Sequence, residues 1–121
     1  MRLAYLYTGS ADVGADLELW RDRLGGDLLW DISSGGTRVA ALRFDPEGPS
    51  ILLADHRPAG SVIQIWSVTS LRDEERRMRE AGWDGEGHTV EIPDGPVLIL
   101  TDASGNEVGL LEQTRPGILE R

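Results

Sequence analysis

The chain of 121 residues has no cysteine and no lysine, one phenylalanine (Phe44) and two histidines (His56 and His88). Without cysteine there are no disulfides, zinc thiolates, iron–sulfur ligands or thiol nucleophiles. Without lysine, all twelve basic residues are arginine, and 21 acidic residues leave a formal net charge of −9. That charge repels phosphate backbones and anionic bilayers, so neither nucleic acid nor a membrane is an expected partner, and it favours cationic compounds. Long apolar runs are also missing. Val97-Leu98-Ile99-Leu100 is far shorter than the roughly 20 residues a spanning helix needs. Met1-Arg2-Leu3 leads into a strand-like pattern without signal-peptide organisation, so a cytoplasmic location is expected. No serine sits in a glycine-flanked elbow, and Gly9, Gly14, Gly25 and Gly26 lack the spacing of a phosphate-cradling loop.

What is present is an internal repeat. The stretch from Asp45 to Asp55 returns as Asp102 to Glu112, an offset of 57 residues that also carries Leu24-Gly25 onto Ala81-Gly82 and Leu42 onto Ile99. Two copies do not make a solenoid, which needs three or more units to bury a continuous core. They imply one domain of two modules, about 1–57 and 61–113, with a short tail from Thr114 to Arg121.

Each copy reads as β-α-β-β-β. In the first, Leu3–Tyr7 is a strand, and Asp12 or Asp16 caps a helix whose apolar positions Leu17, Trp20 and Leu24 share a face before Gly25-Gly26 stops it. Strands follow at 28–32, 38–44 and 50–54. In the second, Val62–Val68 is a strand, Ser70 caps a helix that Gly82 ends, and strands follow near 88–92, 97–101 and 107–111. Arg57-Pro58-Ala59-Gly60 reads as the linker, and Pro93-Asp94-Gly95-Pro96 as a turn.

The segments Leu19-Trp20-Arg21-Asp22-Arg23-Leu24-Gly25 and Thr101-Asp102-Ala103-Ser104-Gly105-Asn106-Glu107-Val108, in this tandem frame, resemble the vicinal oxygen chelate superfamily of glyoxalase I, extradiol dioxygenases and bleomycin-resistance proteins. The resemblance implies an α+β fold in which the two modules form a U-shaped, mostly antiparallel sheet around a cavity, with helices on the outer face, often as a homodimer. It also implies metal ligands on the first and last strand of each module. A divalent ion needs several N or O donors converging at about 2.0–2.3 Å. The corresponding last-strand positions are Leu52 and Gly109, Arg2–Tyr7 offers no donor of the usual types, and Gln64 alone remains. No metal or other cofactor is therefore expected.

The aromatic residues point to a small-molecule site, because indoles and phenols stack on flat ligands and cations. Tyr5, Tyr7, Trp30 and Trp66 are candidate cavity residues beside the polar Arg43, His56 and Gln64, while Trp20 and Trp83 read as core. The expected function is metal-independent binding of a small organic molecule, cationic or aromatic, as in the drug-sequestering relatives. The rival is a lyase, isomerase or dioxygenase-like enzyme that uses a cavity histidine or carboxylate, or a metal at displaced positions.

Overall fold

Successive side chains on the inner strands alternate between two apolar surfaces, the pattern of a sheet covered on both faces. A computed structural model describes residues 1–115. Its strands are β1 (Arg2–Gly9), β2 (Asp27–Ser34), β3 (Thr37–Arg43), β4 (Ser50–Ala54), β5 (Val62–Val68), β6 (His88–Ile92), β7 (Gly95–Thr101) and β8 (Glu107–Glu112). They form one curled sheet in the order β2-β3-β4-β1-β5-β8-β7-β6. β1 pairs with β4 and β5 with β8 in parallel, and every other pairing is antiparallel. The tandem β-α-β-β-β order and the U-shaped sheet are as expected from the sequence.

Helix α1 (Val13–Leu17) starts at Asp12, whose carboxylate accepts from the Ala15 N–H at 3.0 Å, and buries Val13 and Leu17 against Ala40, Leu42 and Leu53. It continues as a π-helical segment, Glu18–Arg23, in which the Leu24 N–H reaches the Leu19 carbonyl at 2.8 Å. The π turn holds one extra residue and rotates the helix end beyond it. Leu24, expected on the apolar stripe, is consequently 55% exposed, while Trp20 still packs on the buried cluster. Helix α2 (Leu71–Glu80) is capped by Ser70, and the Leu71 N–H donates to Glu112 on β8 at 2.8 Å. Leu71, Met78 and Trp83 cover Leu98, Leu100 and Leu110. The Arg79 guanidinium stacks 4.1 Å from the Trp83 ring centroid.

The strand registers show an approximate two-fold relation. Tyr5 faces Ile65 and Tyr7 faces Ile63 across the central β1–β5 pair, while Leu52 and Gly109 occupy the same place on β4 and β8. The offset is 57 only on that last strand. Tyr7 is the parallel partner of Leu52, as Ile65 is of Gly109, so the first strands are related by 58 residues. Likewise Ala41, not Leu42, corresponds to Ile99. The cause is a β3–β4 connection, 44–49, one residue longer than the β7–β8 connection, 102–106. Of the tail, Thr114 and Arg115 are described: the Arg115 N–H donates to the Asp94 carbonyl at 2.8 Å, and the remainder lies outside the described residues.

Candidate functional site

The concave face of the sheet is apolar. Tyr5, Ala41, Leu52, Ile63, Ile65, Val97, Ile99 and Leu111 are buried there, with Tyr7, Trp30, Val39 and Ile92 packed against them. The turn between β6 and β7 bends over this surface because Asp94, only 6% exposed, accepts from the Tyr5 hydroxyl at the sheet centre and from Gln113 Nε2. Arg115 holds the turn from outside through the Pro93 carbonyl and the Glu91 carboxylate.

The turn leaves two compartments that share Tyr7, Ile92 and Pro93. The larger, about 300 Å³, has Ile63, Ile65, Val97 and Ile99 as its floor and Tyr7, His56, Arg57, His88 and Glu91 as its polar groups. The smaller, about 110 Å³, runs under Trp30, Val39 and Leu52. A third, polar cleft of about 230 Å³ lies on the far side of the Tyr5–Asp94 contact and includes Arg2, Arg43 and Ser50.

The polar edge of the larger compartment depends on a close crossing of chains. A Cβ at Gly9 would lie 1.8 Å from the Pro58 carbonyl oxygen, so only glycine lets the 58–61 segment pass over the end of β1. The Gly9 N–H donates to the Ser61 carbonyl there at 2.9 Å. This crossing brings His56 and Arg57 over β1. The Tyr7 hydroxyl and His56 Nε2 share a hydrogen bond of 3.0 Å, with the rings edge to face at 5.7 Å. Burial raises the Tyr7 phenol above its ordinary pKa, and the Arg57 charge opposes that rise without cancelling it. Arg57 itself holds Glu107 through Nη2 at 2.7 Å, while its Nε is buried without a hydrogen-bond partner among the described residues.

Of the side chains expected at the site, Tyr7, Trp30 and His56 line the concavity. Tyr5 lies at its centre but uses its hydroxyl on Asp94, and Arg43 joins it in the separate polar cleft. Gln64 and Trp66 are corrected. With Ile63 and Ile65 turned inward, both lie on the outer face, where Trp66 packs in the α2 cluster and its Nε1 donates to Gln64 at 3.3 Å. Sequence reasoning left out Arg57, placed in a linker, and the Ile92–Asp94 turn. His88 does carry a signal. It faces Ile99 as Trp30 faces Ala41, so the corrected repeat puts it at the cavity position of Trp30.

The residues present do not fit the metal site that the resemblance implies. Leu52 and Gly109 are where expected, and β1 and β5 turn Tyr5, Tyr7, Ile63 and Ile65 inward. A Cβ at Gly109 would already meet Val97 Cγ1 at 2.9 Å and Ile65 Cγ1 at 3.3 Å, which leaves no room for a ligating side chain. Among the described residues, no three His, Asp or Glu side chains converge elsewhere as a metal-binding group, and no helix is long and apolar enough to cross a membrane.

No protein-family model and no curated protein sequence matches the chain. Solved structures do. A hypothetical protein from Bacillus halodurans C-125 superposes with a TM-score of 0.73 at 16% identity, over 94% of this chain and 95% of its own. Methylmalonyl-CoA epimerase from Mycobacterium tuberculosis gives 0.71 at 18%, over 93% and 88%. A glyoxalase/bleomycin resistance protein/dioxygenase superfamily member from Vibrio splendidus 12B01 gives 0.68 at 15%, over 92% and 97%. Identities this low carry the architecture and not the activity. On that architecture and its strand order, the chain has the vicinal oxygen chelate fold.

Proposed function

We propose that this chain is a metal-independent small-molecule-binding protein of the glyoxalase/bleomycin-resistance type, which sequesters a compact aromatic or branched apolar compound in its concavity. The observation that carries this reading is the larger compartment, with an apolar floor of Ile63, Ile65, Val97 and Ile99 and a few polar groups in its lining. Small-molecule sites are built this way: the apolar area supplies affinity and the polar groups orient the ligand. Trp30 offers a further aromatic surface in the adjoining compartment. The expectation of a cationic ligand rested on the net charge of −9. The lining argues for a neutral or anionic ligand instead, since among the described residues it carries the guanidinium of Arg57 and the carboxylate of Glu91, which Arg115 already pairs.

A homodimer belongs to the same reading. It is supported by the exposed apolar side chains Leu24, Leu28 and Phe44 around the end of the π-helical segment, and sedimentation tests it. Cytoplasmic residence is likewise proposed and is tested by cell fractionation.

A second reading, an isomerase or lyase that moves a proton, is favoured by the Tyr7–His56 hydrogen bond at the compartment's edge. Imidazole and phenol in contact are a working proton-transfer pair if a substrate atom reaches them. A thermal-shift screen of aromatic compounds with chelator present separates the two. Binding predicts a rise of RT ln(1 + [L]/Kd) with the compound recovered unchanged. Conversion of the compound, lost in His56→Ala, would establish the enzyme instead, and a melting temperature that moves only with added metal would overturn metal independence.

A further inference from the structure

Resting on that reading, we propose that the larger compartment selects a ligand bearing a carboxylate, with Arg57 as the group that receives it. Arg57 lines the compartment, and its guanidinium is charged at any physiological pH. One arm, Nη2, is committed to Glu107 at 2.7 Å, yet Nε is buried and meets no acceptor among the described residues. Nε itself has no accessible surface, so a ligand acceptor meets the side chain over the 22% of it that stays exposed where Arg57 lines the compartment.

The surrounding charges point the same way. Glu91, the one carboxylate on the lining among the described residues, is paired with Arg115 at 3.1 Å. His56 and His88 add two imidazoles and Tyr7 a phenol to the lining, with Tyr7 and His56 hydrogen-bonded to each other. The acidic surplus of the whole chain does not cancel this. Charges more than about 8–10 Å away across solvent are screened, whereas a guanidinium lining the pocket acts at contact distance. In the same compartment, Ile63, Ile65, Val97 and Ile99 accept an apolar body. The ligand class that matches both halves is a small aromatic or branched carboxylate.

Three probes with one ring and different charge test this: benzoate, benzamide and benzylamine. Each is titrated into the full chain with calorimetry and with methyl NMR signals of Ile63, Ile65, Val97 and Ile99. Benzoate is expected to bind about tenfold or more tighter than benzamide, with benzylamine weakest. Arg57→Gln is expected to erase the preference for benzoate while leaving benzamide affinity within about twofold. Because Arg57→Gln also frees Glu107, the variant Glu107→Gln serves as a second arm. Its carboxamide oxygen still accepts from Nη2 and so keeps the guanidinium in position, while the competing negative charge is gone, and benzoate affinity is expected to hold or rise. Equal or tighter binding of benzamide or benzylamine overturns the carboxylate preference and leaves the cavity reading standing. A benzoate preference that survives Arg57→Gln, or falls tenfold in Glu107→Gln, removes Arg57 as the receptor. No methyl shift with any of the three overturns both this inference and the reading it rests on.

Discussion

The Tyr5 hydroxyl donates to the carboxylate of Asp94, joining the centre of the sheet to the turn between β6 and β7. The contact divides the concavity, with the apolar compartments on one side and the polar cleft of Arg2, Arg43 and Ser50 on the other. Removing it in Tyr5→Phe takes one donor from the buried Asp94 and leaves Gln113 Nε2 at 3.3 Å among the described residues. The expected loss is about 1–3 kcal/mol, seen as a melting temperature lower by several degrees. Amide exchange at Ile92, Asp94 and Gly95 should speed up more than in α2, and an unchanged exchange rate there would show that the turn is held by Arg115 instead.

Tyr7 should titrate late. Its phenol is raised by burial, so the fold favours the protonated form. The associated stability is fully present below the ordinary phenol pKa of 10.0 and is lost as pH rises through the higher folded value. Tyrosinate absorbance of the wild type minus that of Tyr7→Phe should show a step above pH 10.0. A step at or below that value would contradict a buried Tyr7.

Trp30 and Trp66 should separate binding from folding. Full burial makes Trp→Ala cost about 3–5 kcal/mol. Trp66 is half-buried in the α2 cluster, so Trp66→Ala is expected to cost about 2 kcal/mol without changing affinity for a cavity ligand. Trp30→Ala should weaken a ligand long enough to enter the smaller compartment. Melting temperature and calorimetric affinity of both variants check this, and a reversed pattern would put Trp66 at the site.

Titration with Zn²⁺, Ni²⁺, Mn²⁺ and Fe²⁺ should reveal no stoichiometric site, given Leu52, Gly109, Ile63 and Ile65 at the inward positions. Restoring a carboxylate by Gly109→Glu should not create one. The new side chain meets Val97 and Ile65, and overpacking of this kind costs about 1–3 kcal/mol. A tight one-to-one metal with His56 or His88 in its shell would favour the enzyme reading.

Much of the framework was legible because local chemistry marks it. Asp12 and Ser70 do cap the helices, Gly25 and Gly82 adopt the positive φ that ends them, and the strands occur in the expected order. The similarity of the two last hairpins placed Leu52 and Gly109 correctly. The same similarity did not fix the face of Gln64 and Trp66. Strand side chains change faces at every residue, so the single residue by which the two connections differ exchanges inside for outside along β5.

The sequence by itself determined the order of elements, the two-module plan and the lack of ligating side chains on the last strands, because caps, turn glycines and alternation act over a few neighbouring residues. Only the tertiary structure decided which face Trp30 and Trp66 present, that Asp94 reaches Tyr5, and that Arg57 lines the cavity. These depend on contacts between distant segments. Arg57 is the clearest case. In the sequence it belongs to a proline–glycine linker, and it comes to the site because Gly9 lets that linker pass against β1 while Glu107, fifty residues away, holds the guanidinium.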